Sequence, residues 1–172
     1  MHLQRTLKKE IFCSSIGLHT GRKVNMAIKP APVDTGIIFV RKDLPNARPI
    51  PADFKMVCDT TLATSLGSNG VTVSTVEHIL SAFSGMGLDN AVIELDSFEV
   101  PILDGSARPF VNMLKEAGTC TQGKFKKMLV IKKPVSVKEG EGRAMFLPSE
   151  ELKITYDIDF AHRAIGKQSY SV

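Results

Sequence analysis

The sequence predicts a mixed fold of sheets and helices, because strand patterns and helix patterns occupy separate stretches of the chain. Apolar segments of strand type dominate the first sixty residues, two amphipathic helix patterns lie between residues 74 and 118, and only strand patterns follow residue 124. Hydrophobic residues make up 43% and charged residues 23% of the 172 positions. This balance is typical of a folded chain, and the length allows one ordinary domain or two small ones.

Strands are predicted first. Residues 23–29 alternate polar and apolar side chains, as a half-buried strand does, and Pro30 and Pro32 end the pattern. Residues 36–40 form a short apolar run that is typical of a buried strand. Residues 16–21 place two glycines around His19, which predicts a loop or tight turn. Residues 90–96 predict a further strand after the first helix.

The clearest helix pattern starts near Ser74, where Ser74 and Glu77 match the S-x-x-E capping box. Gly85 and Gly87 supply a stop signal. The apolar residues between these limits fall on a single stripe, at Val76, Ile79, Leu80, Phe83 and Met86.

A second helix is predicted with Ser106 as its N-cap and Gly118 at its end. Its apolar positions are Phe110, Val111, Leu114 and Ala117. Residues 123–127 then resemble a linker. Strand patterns follow at residues 128–137, 143–147, 152–160 and 168–172.

These patterns predict two domains, a complete one over residues 1–123 and a second over residues 124–172. No turn or cap signal follows the last strand pattern, so we expect the second domain to be incomplete.

The formal net charge of +4 divides along the chain into +5 over residues 1–60, −5 over 61–123 and +4 over 124–172. The basic flanks would suit a phosphate-bearing partner and the acidic middle a cation, although solvated surface charge is the simpler explanation of any single run.

Several classes of protein are disfavoured. The chain has no Trp, two Tyr and no basic–aromatic interleaving, which argues against nucleic-acid binding. Three widely spaced cysteines fit reduced thiols in a cytoplasmic protein better than a disulfide framework. No segment has the pattern of a signal peptide or a transmembrane helix.

The sharpest chemical pattern is the adjacent pair Glu77–His78. At 100° per residue, Glu77 lies about 120° and His78 about 140° from the centre of the apolar stripe. The positive end of the helix dipole favours a carboxylate there and disfavours imidazolium. A neutral imidazole can bind zinc, and a carboxylate beside it can act as a base. On local pattern alone, a capping glutamate and an ordinary exposed histidine remain the simpler alternative.

Other candidates also carry two interpretations. Asp104 could orient a histidine or could fix an Asp-Gly turn. Phe160 could stack on a base or could be edge core, and Arg143 could bind phosphate or be solvated. A catalytic zinc requires three protein ligands, and none of the four histidines pairs with another ligand at i, i+4 spacing, so a complete site would need ligands from scattered loops.

Four motifs, taken together, resemble one known family. They are R-T-L-K at residues 5–8, G-L-H-T-G at 17–21, S-T-V-E-H at 74–78 and P-I-L-D-G-S at 101–106. In this order and spacing they resemble the UDP-3-O-acyl-N-acetylglucosamine deacetylases of lipid A biosynthesis, over the whole of residues 1–172. The combination of the T-V-E-H helix start with P-I-L-D-G-S is specific, whereas either motif alone would be weak.

The resemblance implies a zinc-dependent amidohydrolase that removes the N-acetyl group from UDP-3-O-acyl-N-acetylglucosamine. It implies two similar α+β domains with their helices packed between two sheets. It assigns His78 to a zinc ligand and Glu77 to the general base that activates the attacking water. It also implies substrate-site roles for five residues: Leu62 near the metal within the segment 59–63, Phe160 stacking on uracil, Arg143 near the diphosphate, and His19 and Asp104 close to the reaction centre.

The same resemblance implies that the 172 residues carry only part of the site. The family's other two zinc ligands, a histidine and an aspartate on a later helix, have no match in this sequence. We therefore expect the parent protein to be a deacetylase, this N-terminal portion to be inactive alone, and its zinc site to be incomplete. An incomplete second sheet also predicts self-association. The alternative is a natural non-catalytic binding or scaffold module that has kept the fold.

Overall fold

The computed structural model describes residues 2–172, so residue 1 of the predicted first domain lies outside the described residues. The chain divides into two compact units, the first ending at Lys126 and the second comprising Lys127–Val172. The first unit therefore extends three residues beyond the predicted boundary. The predicted α+β class is confirmed, since strands and helices form separate layers of the first unit.

The strands of the first unit are β1 Leu3–Leu7, β2 Ile11–Ile16, β3 Lys23–Pro30, β4 Ile37–Arg41, β5 Ile50–Pro51, β6 Val57–Asp59, β7 Ser65–Ser68, β8 Val71–Val73, β9 Ala91–Leu95 and β10 Thr119–Phe125. Five of them form the main sheet, with the strand order β2-β3-β9-β4-β5. Outside this sheet β1 pairs with β10, and a smaller sheet has the order β6-β7-β8. A short 3-10 helix, Phe54–Met56, precedes β6.

The central strands follow the predicted alternation. Along β3, Val24, Met26 and Ile28 are buried in the core, whereas Lys23 and Asn25 are exposed. β9 lies between β3, to which it is antiparallel, and β4, to which it is parallel. Strands 23–29, 36–40 and 90–96 were all predicted to within a residue or two, because one face of each strand is buried.

Two ten-residue helices, α1 Glu77–Met86 and α2 Arg108–Ala117, cover one face of this sheet and share its core. α1 ends at Gly87, whose φ of 64° lies in the left-handed region that favours glycine. α2 ends at Gly118, as predicted. The buried helix residues are Ile79, Ala82 and Phe83 on α1 and Phe110, Leu114 and Ala117 on α2.

The predicted capping box at the start of α1 is wrong. The N-cap residue is Val76, which makes no side-chain cap bond. The Ser74 hydroxyl instead accepts a hydrogen bond from the Ser65 hydroxyl at 2.9 Å. At α2 the N-cap is Ala107 rather than Ser106, although the Ser106 hydroxyl still accepts a hydrogen bond from the Arg108 N–H at 3.2 Å.

Two cations hold the carboxyl end of α1. Arg5 donates to the Met86 carbonyl oxygen at 3.0 Å and also bonds the Thr119 hydroxyl. Lys126 donates to the Gly87 carbonyl oxygen at 2.8 Å. Positive groups at this end satisfy free carbonyls and complement the helix dipole.

The antiparallel pair β1–β10 joins the beginning and the end of the first unit, with Leu3 opposite Phe125. Residues 123–125 were predicted to belong to a linker, and this prediction is wrong because they are part of β10. The Gly- and Lys-rich composition of the segment concealed a strand whose partner lies more than a hundred residues away.

The second unit consists of two antiparallel strand pairs, β11 (Val135–Glu139) with β12 (Gly142–Phe146) and β13 (Thr155–Asp159) with β14 (Lys167–Ser171). Within these four strands every residue is exposed except Ile158, which is half-buried. The predicted strand 128–137 begins only after Pro134, which has no N–H to donate to a strand partner. The expected packing of helices between the sheets of two domains stays a prediction.

Candidate functional site

Glu77 is the first residue of α1 and is half-buried. Its Oε2 accepts the Thr64 N–H at 3.1 Å, and the Thr64 carbonyl oxygen accepts the Val76 N–H at 3.3 Å. The carboxylate therefore contacts the loop between β6 and β7 rather than capping its own helix. Its other oxygen, Oε1, accepts no hydrogen bond from the groups of residues 2–172.

His78 follows on the first turn of α1 and is also half-buried, away from the core stripe. Its backbone carbonyl accepts a hydrogen bond from the Ser81 hydroxyl at 2.8 Å. Among the described residues, no group hydrogen-bonds the imidazole ring. A half-buried histidine whose ring nitrogens are unengaged can act as a metal ligand.

Leu62 lies at the tip of the loop between β6 and β7. Its φ of 62° lies in the left-handed region, and its side chain is 86% exposed. Asp59 starts this loop by accepting the Thr61 N–H at 2.9 Å, and this bond lowers the pKa of the Asp59 carboxyl. Since Thr64 closes the loop and holds Glu77, the loop joins Leu62 to the start of α1.

His19 is exposed in the turn between β2 and β3, as its glycine-flanked sequence predicted. The turn is closed by bonds from the Gly17 N–H to the Arg22 carbonyl at 2.9 Å and from the Gly21 N–H to the Gly17 carbonyl at 3.0 Å. The backbone N–H of His19, rather than its ring, makes the contact with the rest of the molecule, through Glu99.

Asp104 is exposed and fixes a turn. Its Oδ1 accepts both the Ser106 hydroxyl and the Ser106 N–H at 2.8 Å, and Gly105 has a φ of 84°. These two bonds lower the pKa of the Asp104 carboxyl. The neighbouring Ile102 N–H donates to the Ile16 carbonyl at 2.9 Å, which ties this turn to the strand that leads to His19.

The other two predicted residues lie in the second unit. Arg143 is exposed on β12, opposite Lys138, and its guanidinium donates to the Met145 sulfur at 3.6 Å. Phe160 directly follows β13 and is exposed; its N–H donates to the Gly166 carbonyl at 3.0 Å. Arg143 belongs to the β11–β12 pair, whereas Phe160 lies next to the β13–β14 pair.

Sequence reasoning missed Glu99, which is fully buried. Its carboxylate accepts the His19 N–H at 2.8 Å, the Thr20 N–H at 3.0 Å and the Thr75 hydroxyl at 3.3 Å. Burial alone would raise the pKa of the Glu99 carboxyl, but these donors together hold that pKa below its usual value. The available signal was a single carboxylate between Phe98 and Val100, in an otherwise apolar segment.

Thr75 is also part of this arrangement. It is 2% exposed and has a φ of 59°, a left-handed conformation that costs a β-branched residue about 1–3 kcal/mol. Its neighbour Ser74 donates its N–H to the Phe98 carbonyl at 2.7 Å and accepts the Val100 N–H at 3.0 Å. The hydrogen bonds of Ser74 and Thr75 to residues 98–100 therefore fix the connection from β8 to Glu77.

An open cavity of about 510 Å³ lies elsewhere on the first unit. It is lined from β2, β3 and β9 and includes Phe12, Asn25, Lys42 and Asp96. None of the predicted site residues lines this cavity, so it is separate from the site at Glu77 and His78.

Within residues 2–172 there is no cluster of three or more His, Cys, Asp or Glu side chains that could hold a metal ion. His78 therefore belongs to no set of three such ligands among these residues. The helices of the described chain are too short or too polar to span a membrane.

Comparison with known proteins identifies the family. The family model described as UDP-3-O-acyl N-acetylglycosamine deacetylase matches residues 4–172. The chain belongs to this family.

Curated deacetylases of this family are closely similar in sequence. The UDP-3-O-acyl-N-acetylglucosamine deacetylase of Syntrophus aciditrophicus is 60% identical over 170 residues, which are 99% of this chain and 54% of that protein. The relative from Saccharophagus degradans is 54% identical over 92% of this chain and 52% of its own length. The relative from Xanthomonas campestris pv. campestris is 49% identical over 98% of this chain and 56% of its own length. The chain thus spans about half the length of the deacetylases that it matches.

Proposed function

We propose that these residues form the N-terminal half of a zinc-dependent deacetylase that hydrolyses the N-acetyl group of UDP-3-O-acyl-N-acetylglucosamine. The observation that carries the proposal is the first turn of α1. There, Glu77 is held by the Thr64 N–H with one oxygen free, beside a half-buried His78 whose ring has no hydrogen-bond partner in the described chain. A deacetylase of this kind would act in the cytoplasm.

The residues fit the metal only in part. His78 supplies one nitrogen donor, whereas a catalytic zinc needs three protein ligands. No set of three potential ligands includes His78 in residues 2–172, and the proposal therefore takes the remaining ligands from outside this segment. When bound, zinc would polarise the amide carbonyl and favour deprotonation of water near neutral pH.

In this proposal Glu77 receives the proton of the attacking water at its free Oε1, while the Thr64 N–H holds Oε2. Leu62, on the loop that Thr64 closes, provides apolar surface beside the reacting group. His19 and Asp104 lie on turns joined by the Ile16–Ile102 hydrogen bond, and the proposal places both turns beside the reacting group. The exposed Phe160 and Arg143 of the second unit are proposed to contact the uracil and the diphosphate, respectively.

The proposal can be tested in a chimera. Residues 1–172 would be joined to the part of the Syntrophus aciditrophicus deacetylase beyond its matched segment, and acetate release and zinc content would be measured. Glu77→Gln should lower kcat by roughly 10²–10⁴-fold while zinc is retained, because it removes the proton acceptor. His78→Ala should lose zinc. The matched control is Glu116→Gln, an exposed glutamate on α2, which should leave both unchanged.

The isolated 172-residue chain is expected to bind no stoichiometric zinc and to release no acetate. Turnover by this chain alone would contradict the proposal that its site is incomplete. A folded chimera that neither binds zinc nor releases acetate would instead favour a non-catalytic binding or scaffold module.

A further inference from the structure

We propose that Glu99 is a positioning residue. Its buried carboxylate joins the His19 turn to Thr75 and so fixes the direction of the first turn of α1, which carries Glu77 and His78. The inference rests on the proposed function for its catalytic consequence. Its structural content depends only on contacts within the first unit.

Glu99 is fully buried, and in the described chain no cationic side chain forms an ion pair with it. Its partners are two backbone N–H groups and one hydroxyl, from His19, Thr20 and Thr75. A buried charge is tolerated only where such donors compensate for lost water, so the geometry of these donors is strongly fixed.

Gly17 lies directly against this carboxylate. A Cβ built at residue 17 would be 2.3 Å from Glu99 Oε2 and 2.4 Å from Thr20 Oγ1. The turn therefore approaches Glu99 as closely as a backbone can. Neither partner can shift toward the other.

Thr75 contacts the same carboxylate through its hydroxyl, which donates to Oε1 at 3.3 Å. Its left-handed backbone turns the chain between β8 and α1, two residues before Glu77. The hydroxyl bond to Glu99 Oε1 and the flanking bonds of Ser74 favour this costly conformation over an ordinary one. Loss of the Glu99 carboxylate would release Thr75, and the direction of the first helical turn would change with it.

In the described chain, no hydrogen bond or ion pair joins Glu99 to Glu77 or His78. The contacts of Glu77 are with Thr64, on a different segment. Glu99 therefore acts on the reaction only through the backbone, which makes it a positioning residue and separates its effect from that of the proposed base.

The first test uses the 172-residue chain and needs no activity. Amide NMR spectra would be compared for the wild type, Glu99→Gln, Thr75→Val and Thr75→Ser. We expect Glu99→Gln and Thr75→Val to shift the amide resonances of Glu77, His78 and Thr64 as well as those of residues 17–20. Thr75→Ser keeps the hydroxyl and should leave Glu77 and His78 near their wild-type positions.

Shifts that stay within residues 17–20, with Glu77, His78 and Thr64 unchanged, would overturn the inference and leave Glu99 a purely local anchor of the turn. Thr75→Val removes one hydroxyl only, so it decides the question if Glu99→Gln does not fold.

The second test uses the chimera. Glu99→Gln should lower kcat by about 10- to 100-fold, as loss of a supporting partner does, with KM changed by no more than about twofold. Ile93→Val, which removes a buried methyl group from β9, is the control for a general loss of stability and should leave kcat unchanged. An unchanged kcat in an active Glu99→Gln chimera would contradict the positioning role. An inactive wild-type chimera would reject the proposed function, and the NMR comparison would still decide the role of Glu99.

Discussion

Gly17 shows how strongly one residue can depend on a partner far away in the sequence. Its backbone lies against the carboxylate of Glu99, 82 positions later, with no space for a side chain. Gly85 on α1 is the opposite case, because nothing lies within 4 Å of the position that its Cβ would take. The two glycines offer a matched pair of substitutions.

We predict that Gly17→Ala lowers the free energy of unfolding by about 1–3 kcal/mol, since overpacking at a buried site forces its neighbours to move. Gly85→Ala should instead raise it by about 0.5–1 kcal/mol, because alanine is the better helix former. Denaturant titration of the two variants measures both changes. A Gly17→Ala variant as stable as the wild type would show that the turn can retreat from Glu99.

At the residue scale, the sequence predicted the candidates that belong to recognisable motifs, such as Glu77 and His78. It did not predict Glu99 or Thr75, because their importance arises from contacts between segments distant in the chain. A carboxylate among apolar neighbours looks the same in sequence whether it is solvated or buried. Only the fold brings the donors of His19 and Thr20 to it.

Helix α1 illustrates the scale of the element. Its apolar stripe and its stop at Gly87 were predicted correctly, since both are local properties of the sequence. Its start was not, because Ser74 and Glu77 find partners in Ser65 and Thr64 on the neighbouring small sheet and loop. Tertiary contacts thus replaced the capping box that the local pattern indicated.

At the carboxyl end of α1, we predict that Arg5→Ala lowers the free energy of unfolding by about 1.5–3 kcal/mol, the range for hydrogen bonds that involve a charged group. The half-buried guanidinium donates to the Met86 carbonyl and the Thr119 hydroxyl, and the substitution would leave both acceptors without this donor. Lys9→Ala, at an exposed position on the same stretch of chain, is the control and should change stability little. Equal effects of the two substitutions, measured by urea titration, would argue against a capping role for Arg5.

At the scale of the whole molecule, the two units differ in how much of their apolar surface is covered. The first unit has a continuous core, whereas large apolar side chains of the second remain exposed, including Tyr156 at 69% and its cross-strand neighbour Tyr170 at 72%. Exposed apolar surface on short strand pairs favours association with other chains.

We therefore predict that the 172-residue chain self-associates. Light scattering after size-exclusion chromatography should give a mass above the 18.8 kDa of one chain, falling on dilution. The double variant Tyr156→Lys/Tyr170→Lys should shift the equilibrium toward the monomer, whereas Lys9→Ala should not. A monomer mass at every concentration of the wild-type chain would contradict this prediction.

The pairing of β1 with β10 has a mechanical consequence for the first unit. Leu3 lies opposite Phe125, and the Lys126 N–H donates to the His2 carbonyl at 2.9 Å, so the chain enters and leaves the unit at the same end of one antiparallel pair. A pulling force applied at these two points would load the interstrand bonds one after another rather than all at once. The unit would begin to open by peeling β1 away from β10, and Lys126, whose side chain donates to the Gly87 carbonyl oxygen at the end of α1, would be the point at which the force first reaches the helix.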